Sequence, residues 1–284
     1  MTIHPKYSLA GTWLLLFLLT GFPFPKAEAQ ELGKITWQPL YQGVDFFQTT
    51  LETPRPMIIY ALRIDLQKPG VAIITTPGNP DQPGTTLGLK TSTFLKETGC
   101  QVAINAAHFA PVINLERQPQ RVTAAHVSDG QIVATHQNSP ALLIDAQGRA
   151  SVARPPINLD GIQQAVGGFS VVLENGTNRG GNDPTHPRTA AGVGDEGRLL
   201  YLLIVDGRQP GISEGATTRE LGTLFLQLGA DQAINLDGGG TTTLVFGDTN
   251  GEPRIINRPI HAGIPGWERV SASHLGVRAQ PLKR

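Results

Sequence analysis

The chain has 284 residues, with 23 basic and 23 acidic side chains and a formal net charge of zero. Charged residues make up only 16% of the chain and form no basic stripe, which argues against a nucleic acid or other polyanion as the partner. Glycine is abundant, at 33 residues, but it lies in turns and separate clusters, which excludes a disordered low-complexity chain.

The cysteine content excludes an intramolecular disulfide. Cys100 is the single cysteine, so the chain forms no intramolecular disulfide. It precedes the apolar segment Val102-Ala103-Ile104, and we expect it to be a small buried residue rather than a reactive thiol.

The N-terminal segment differs in character from the rest of the chain. Lys6 precedes an apolar run over residues 9–22, and Ala27-Glu28-Ala29 is a small-x-small sequence that suits signal peptidase. The alternative is a transmembrane anchor, but the uninterrupted apolar part is too short to cross about 30 Å of hydrocarbon. We therefore expect residues 1–29 to be a signal peptide, the protein to be exported, to a periplasm or outside the cell, and no stable membrane anchor to remain.

Residues 30–284 are predicted to form one domain, since no linker-like change in composition divides them. The start, residues 30–50, has the character of at most one strand. Ile58 to Leu66 alternates apolar and polar residues, the period of a half-buried strand. Val71 to Thr76 is predicted to pair with it through the turn Lys68-Pro69-Gly70, and residues 77–84 to form a loop.

A helix is predicted over Leu87 to Thr98, ended by Gly99, followed by a buried strand over Gln101 to Asn105. Three hairpins are then predicted from turn residues. Their strands are 122–127 with 131–136, 141–145 with 150–153, and 188–193 with 199–205.

A second helix has the clearest signals in the chain. Thr217 and Glu220 form a capping box, the apolar residues that follow have helical spacing, and Gly229 ends the run. Strands are predicted over 233–236, 242–246 and 271–277. Frequent hairpins with few helices indicate an α+β fold with a largely antiparallel or mixed β-sheet core and a few packed helices.

The strongest candidate for a functional site is the segment Asn235-Leu236-Asp237-Gly238-Gly239-Gly240-Thr241. Three glycines between two strands are useful where the backbone bends sharply or approaches a ligand, and freed N–H groups can bind an anion. The alternative is a glycine-rich hairpin in which Asp237 is a turn residue.

Two arginine-containing segments are further candidates. In His186-Pro187-Arg188-Thr189, the guanidinium can bind phosphate through two parallel hydrogen bonds, and His186 and Thr189 would add polar contacts. Asp206-Gly207-Arg208 follows an apolar strand, a common place for catalytic groups. The alternative for the first segment is a loop-to-strand junction with a solvated arginine, and the second segment could equally be an ordinary turn.

Two weaker candidates complete the set. Asn105 emerges from a buried strand and is followed by His108, so both could meet a glycan hydroxyl or a phosphate oxygen, although Asn105 could also be a satisfied core residue. Gly168 belongs to a glycine pair that could be a simple turn. No nucleophile elbow, phosphate-binding loop or dinucleotide fingerprint is present in the sequence.

Taken in chain order, these segments resemble the phosphodiester glycosidase family. That family includes the uncovering enzyme that removes N-acetylglucosamine from mannose 6-phosphate tags. The matching elements are Ile104-Asn105 to Phe109, Val166-Gly167-Gly168, His186-Pro187-Arg188-Thr189-Ala190, Asp206-Gly207-Arg208, Glu220-Leu221 with Leu228-Gly229-Ala230, and Ala233 to Thr242. Ala106-Ala107 departs from the family, whose members commonly carry glycines there, and this bears on substrate choice.

The resemblance implies attack at the anomeric carbon of a sugar 1-phosphodiester, with release of a free sugar and a phosphomonoester. Because a phosphate leaving group is weakly basic, it needs charge stabilisation more than a proton. We expect Arg188, with Arg208 or the N–H groups of Gly238 to Gly240, to hold the phosphate.

Asp237 or Asp206 would stabilise the oxocarbenium-like centre or activate water, while Asn105 and Asn235 would orient the substrate. We assign no definite cofactor, but calcium or magnesium could share the phosphate with Asp206 or Asp237, since hard oxygen ligands suit these ions. Two other functions stay open: a glycan- or phosphate-binding protein without turnover, and a phosphodiesterase that cuts the P–O bond.

Overall fold

The computed structural model describes Met1 and residues 31–136 and 138–283. The predicted signal peptide and its cleavage site lie outside these residues. None of the helices in the described part is both long and apolar enough to cross a membrane.

Strands dominate the structure, and every pair of strands is antiparallel. In chain order the elements are β1 Gln38–Tyr41, β2 Val44–Leu51, β3 Met57–Asp65, β4 Ala72–Thr75, β5 Thr86–Leu87, α1 Thr91–Thr98, β6 Val102–Asn105, β7 Phe109–Ala110, β8 Pro119–Val122, β9 Ala125–Ser128, β10 Gln131–Thr135, β11 Ala141–Asp145, β12 Ala150–Ala153, β13 Ile162–Gly167, β14 Ser170–Glu174, β15 Thr177–Asn178, β16 Arg188–Gly194, β17 Leu199–Val205, α2 Thr218–Leu228, β18 Gln232–Asn235, β19 Leu244–Gly247, β20 Pro253–Ile255, β21 Ile260–His261, β22 Ile264–Pro265 and β23 His274–Arg278. Short 3₁₀ turns occupy Asp195–Gly197 and Gly239–Thr241.

The largest sheet has the order β1-β2-β3-β17-β16-β18-β14-β15, and its centre is buried on both faces. Strand β17 shows why. Leu200, Leu202 and Ile204 contribute to one apolar core, and Tyr201, Leu203 and Val205 to another on the opposite face. Alternation along a strand sends neighbours to opposite faces, so a doubly covered strand must be apolar throughout.

Two five-stranded sheets, β10-β9-β13-β11-β12 and β20-β19-β6-β23-β4, cover one face of the large sheet. One apolar core contains side chains from all three sheets, including Leu62, Leu142 and Ile104. The other face of the large sheet is covered by α2, which packs through Leu221, Leu224, Phe225 and Leu228. The central strands of the large sheet are therefore packed on both faces.

Several predicted elements are confirmed. The capping box of α2 is present, and Gly229 ends that helix in the left-handed conformation, as Gly99 does for α1. The three predicted hairpins are β9–β10, β11–β12 and β16–β17. Cys100 is buried and free, and burial raises its thiol pKa. The predicted α+β class fits only coarsely, because the described residues are mainly β with two α-helices.

Three details of the prediction are wrong. Strand β4 does not pair with β3: it pairs with β23, while β3 is already hydrogen-bonded on both edges, to β2 and β17. Helix α1 begins at Thr91 rather than Leu87, because residues 86 and 87 form a strand with β8. The N-terminal region contains two strands, β1 and β2, rather than one.

Candidate active site

The predicted segments meet at one edge of the large sheet. Arg188, which begins β16, is paired with Val205, which ends β17, and Asn235, which ends β18, is paired with Ser170, which begins β14. Antiparallel pairing therefore places the residues that follow β17 and β18 beside those that precede β16 and β14. A cavity of about 150 Å³ opens there, lined by Phe169, His186, Pro187, Arg188, Arg208, Asn235, Leu236, Asp237, Gly238 and Gly239.

The Asp237-Gly238-Gly239-Gly240 segment is not a hairpin. It connects β18 of the large sheet to β19 of a five-stranded sheet, with Gly239 at a φ of +63°, a conformation that favours glycine. A Cβ atom on Gly238 would lie 2.7 Å from the carbonyl oxygen of Pro187, so the close approach of the two segments requires glycine there.

Asp237 is held by the turn that follows it. Its Oδ1 accepts a hydrogen bond from the Gly238 amide (3.1 Å) and its Oδ2 accepts one from Thr241 Oγ1 (2.8 Å). Burial raises the pKa of the carboxyl to about 6, against the opposing effects of the Thr241 hydrogen bond and the charge of Arg269. A carboxyl with this pKa is ionised at neutral pH and can still exchange a proton.

Asn105 is fully buried and lies behind Asp237. Its Nδ2 donates to the Asp237 backbone carbonyl (2.6 Å), and its Oδ1 accepts from Thr189 Oγ1 (2.7 Å) and the Thr243 amide (3.1 Å). Asn105 and Thr189 therefore position Asp237 and the glycine turn; they do not line the cavity.

Asp206 has a different environment from Asp237. It is 1% exposed, and its carboxylate accepts hydrogen bonds from Asn257 Nδ2 (2.9 Å), Tyr60 Oη (3.2 Å) and the Arg258 amide (3.0 and 3.2 Å). Burial raises its pKa, and these hydrogen bonds oppose the rise. Because it does not line the cavity and its oxygens are engaged, its position supports a structural role.

Arg188 lines the cavity but is tied to the protein. Its Nε donates to the Ala216 carbonyl (2.8 Å), and its Nη2 donates to the Pro184 carbonyl (3.0 Å) and forms an ion pair with Asp183. The Asp183 carboxylate therefore balances the Arg188 charge. The Gly238 and Gly239 amides are likewise engaged, by Asp237 Oδ1 and the Pro187 carbonyl, so these two N–H groups are not free to bind an anion.

Two other arginines reach the glycine turn without an ion pair among the described residues. Arg208 is exposed, lies over Gly239, where a Cβ would be 2.9 Å from its Nη2, and approaches His186 Nδ1 at 3.5 Å. Arg269 lies beside Gly240, where a Cβ atom would be 3.2 Å from its Nη1. The Arg269 Nε is buried and has no hydrogen-bond partner in the described structure.

Sequence reasoning missed Arg269. It lies outside every recognised motif and follows the β21–β22 hairpin, which packs on the Gly239–Thr241 turn and brings His261 to Gly240. Burial and the charge of Arg269 lower the pKa of His261; burial and the charges of Arg208 and Arg188 lower that of His186. Both imidazoles are therefore neutral at pH 7 and leave the positive charge to the arginines.

The remaining predicted residues surround the cavity. His108 stacks on Phe169 (ring centroids 4.4 Å apart), and burial lowers its pKa. Gly168 is a packing glycine, since a Cβ there would lie 2.4 Å from the Asn235 carbonyl oxygen. Thr241 supports Asp237, and Asn235 lines the cavity with its Oδ1 unpartnered.

The described residues around the cavity offer few ligands for a metal ion. Across residues 31–136 and 138–283, no group of three or more His, Cys, Asp and Glu side chains is placed to hold an ion. Of the described residues that line the cavity, Asp237 is the one acid, and both of its oxygens accept hydrogen bonds from the protein. Calcium or magnesium dependence stays a prediction.

Two larger depressions, of 290 and 240 Å³, lie elsewhere on the large sheet. Their linings share no residue with the predicted site. The 150 Å³ cavity is smaller, but it combines a carboxyl of raised pKa with cationic side chains, so we place the candidate active site there.

The fold and the cavity together define a mainly antiparallel β protein with a site suited to an anionic ligand. A family model of phosphodiester glycosidases matches residues 98–278, and the chain belongs to that family. The sequence match covers the strands and turns that form the site. No curated protein matches the chain significantly in sequence.

Solved structures with the same fold come from animals and bacteria. The catalytic domain of zebrafish N-acetylglucosamine-1-phosphodiester alpha-N-acetylglucosaminidase, auto-inhibited by its pro-peptide, is 19% identical, with a TM-score of 0.64 over 87% of this chain and 88% of that one. A hypothetical protein from Synechocystis is 14% identical, with a TM-score of 0.66 over 87% of this chain and 64% of that one. At these identities the likeness shows the fold alone.

Proposed function

We propose that this chain is an exported hydrolase that cleaves the glycosidic C–O bond of a sugar 1-phosphodiester, releasing a free sugar and a phosphomonoester. The observation that carries the proposal is the position of Asp237 beside the glycine turn. Its carboxyl has a pKa of about 6, and Arg208 and Arg269 approach the turn without ion pairs. Membership of the phosphodiester glycosidase family supports the same reaction class.

The two arginines supply the phosphate site. A guanidinium binds phosphate through paired, charge-assisted hydrogen bonds, and a preformed cation stabilises charge that develops in the transition state. Arg208 and Arg269 are available for this role because no acidic side chain of the described structure pairs with them. Arg188, which Asp183 neutralises, shapes the cavity wall.

Asp237 supplies the base. As water attacks the anomeric carbon, its oxygen bonds to that carbon and its proton passes to the Asp237 carboxylate. The glycosidic C–O bond breaks, and its electron pair stays on the phosphate oxygen, whose charge the arginines balance. The leaving phosphate needs no proton, which explains how one acid can serve where most glycosidases use two.

N-acetylglucosamine 1-phosphodiesters are the first substrates to test, because the zebrafish protein of similar fold is named for that activity. Free sugar release from a panel of sugar 1-phosphodiesters should be measured for the protein and its Asp237→Asn variant. Asp160→Asn is the matched control, because Asp160 is exposed and does not line the cavity. Activity in wild type and control, with loss in folded Asp237→Asn, is the expected result.

Reaction in oxygen-18 water separates the two bond cleavages. Label in the released sugar supports C–O cleavage, whereas label in the phosphate would make the protein a phosphodiesterase. Tight binding without product across the panel would favour the binding-protein alternative.

Export has its own test. The protein recovered from a periplasm or culture medium should begin at Gln30. A membrane-bound protein that keeps its original N-terminus would contradict cleavage of the signal peptide.

A further inference from the structure

Phe169 is a large apolar side chain held at the lip of the cavity. It is 55% exposed and lines the cavity together with Asn235 and Asp237. Single exposed apolar residues are ordinary on protein surfaces. Phe169 differs from such residues because its backbone and its ring are both fixed.

The backbone of Phe169 is tied to the strand that carries the catalytic aspartate. Its amide donates to the Asn235 carbonyl (2.8 Å), and the amide of Gly168 donates to the Pro140 carbonyl (2.9 Å). Only glycine fits before Phe169, since a Cβ at position 168 would clash with the Asn235 carbonyl oxygen. The local chain therefore sets Phe169 at a constant position relative to Asp237.

The ring of Phe169 is braced by His108. The two rings stack with centroids 4.4 Å apart at an interplanar angle of 30°. The His108 ring is itself anchored, with its Nδ1 2.7 Å from Thr123 Oγ1. One face of Phe169 is thus covered by protein, while the residue as a whole stays exposed and lines the cavity.

Asn235 adds a hydrogen-bond acceptor to the same cavity. The residue is 3% exposed, and its Oδ1 is buried without a hydrogen-bond partner among the described atoms. Buried polar atoms are nearly always partnered, so an orphan acceptor on a residue that lines a cavity points to a donor from a ligand or water. Sugar hydroxyl and acetamido N–H groups are donors of this kind.

We propose that Phe169 and Asn235 form the sugar subsite: the ring stacks on the C–H face of a pyranose, and Asn235 Oδ1 accepts from a hydroxyl or amide N–H of the same sugar. The electron-rich face of an aromatic ring attracts the weakly positive C–H edges of a sugar. This subsite deepens the proposed function, on which it rests, by naming a pyranoside with a free donor group as the substrate class.

The test uses binding as well as turnover. Saturation-transfer NMR of free N-acetylglucosamine, glucose and galactose should give strong signals with wild type and Phe169→Trp, and weak ones with Phe169→Ala. In turnover assays, Phe169→Ala should raise KM roughly tenfold, with kcat changed by less than about threefold, and Phe169→Trp should restore KM. Ile132→Ala, which removes another exposed apolar side chain from strand β10, should change neither.

Asn235→Leu tests the acceptor. Wild type should bind one monodeoxy or deacetylated sugar more weakly than its parent, and Asn235→Leu should no longer distinguish the two. Unchanged sugar binding and KM in Phe169→Ala, or a wild-type protein that binds none of the sugars, would overturn the subsite. Phe169-dependent sugar binding without hydrolysis of any diester would leave the subsite standing and refute the proposed reaction, so the two failures are distinguishable.

Discussion

The Asn105 side-chain amide donates to the backbone carbonyl of Asp237 across 2.6 Å, although 132 positions separate the two residues in the chain. This bond joins the end of β6, in a five-stranded sheet, to the segment that leaves β18, in the large sheet. The position of Asp237 therefore depends on how the two sheets pack.

Replacement of Asn105 by alanine should loosen this connection. It removes the donor to Asp237 and leaves Thr189 Oγ1 and the Thr243 amide without their buried acceptor, which costs about 1–3 kcal/mol. Urea unfolding should report that loss, and kcat should fall more than KM changes. Asn250→Ala, at an exposed turn, is the control; equal stability of the two variants would contradict the assignment.

Asp237→Asn should lower turnover and raise the stability of the folded protein at pH 7. Turnover should fall by about 10²-fold or more, because the base is lost. Burial raises the pKa of Asp237 above its unfolded value, so the folded state holds its proton more tightly and loses stability as the pH rises through about 6. The asparagine variant should therefore be more stable than wild type at pH 7, by about 1–3 kcal/mol, and the difference should shrink near pH 4.

The same pKa sets the pH dependence of catalysis. Because ionised Asp237 is the required form, kcat/KM in wild type should fall about tenfold per pH unit below about pH 6. Rates measured from pH 4 to 8 check this, with the stability of the fold followed in parallel. A pH-independent rate in folded protein would remove Asp237 from the role of base.

Substitution of Arg208 or Arg269 should affect phosphate binding, whereas substitution of Arg188 should affect stability. Arg208→Ala and Arg269→Ala should each weaken inhibition by inorganic phosphate about tenfold or more while leaving thermal stability nearly unchanged. Arg188→Ala should instead lower stability by about 1–3 kcal/mol, since it strips partners from Asp183 and the Ala216 carbonyl. If Arg188→Ala alone abolished phosphate binding in a stably folded protein, the original sequence-based assignment would be restored.

Two buried histidines should make the fold acid-sensitive. His126 bonds the Thr76 carbonyl and His274 the Leu89 carbonyl, and burial lowers their pKa values to about 4 and about 3. Both are neutral in the folded state, while the unfolded chain binds protons below about pH 6.5, so stability should fall as the pH drops from 6.5 towards 4.

Urea unfolding across that range should show the slope, at up to about 1.4 kcal/mol per pH unit for each histidine. His126→Gln should make the slope shallower, with the His274 contribution remaining, and His136→Gln, at an exposed position, should leave it unchanged. A slope unaffected by His126→Gln would point to other groups.

Local chemistry in the sequence determined much of this protein. The capping box at Thr217, the αL glycines and the hairpin turns act over a few residues, so those elements could be predicted with little error. The site segments were also identifiable, because three glycines after a strand and an arginine at a strand start are unusual without a ligand or a packing reason. Their meeting at one sheet edge is seen in the structure and follows from antiparallel pairing.

Only the tertiary structure decided what each side chain does. Asp206 and Asp237 have the same chemistry and similar local sequence. The Asp206 carboxylate accepts hydrogen bonds from Tyr60, Asn257 and Arg258, whereas Asp237 lines the cavity. Arg188 was expected to hold the phosphate, but it pairs with Asp183, whereas Arg269, which the sequence did not indicate, follows the β21–β22 hairpin and reaches the glycine turn. Charge balance and exposure arise from contacts between residues far apart in the chain, and no local pattern records them.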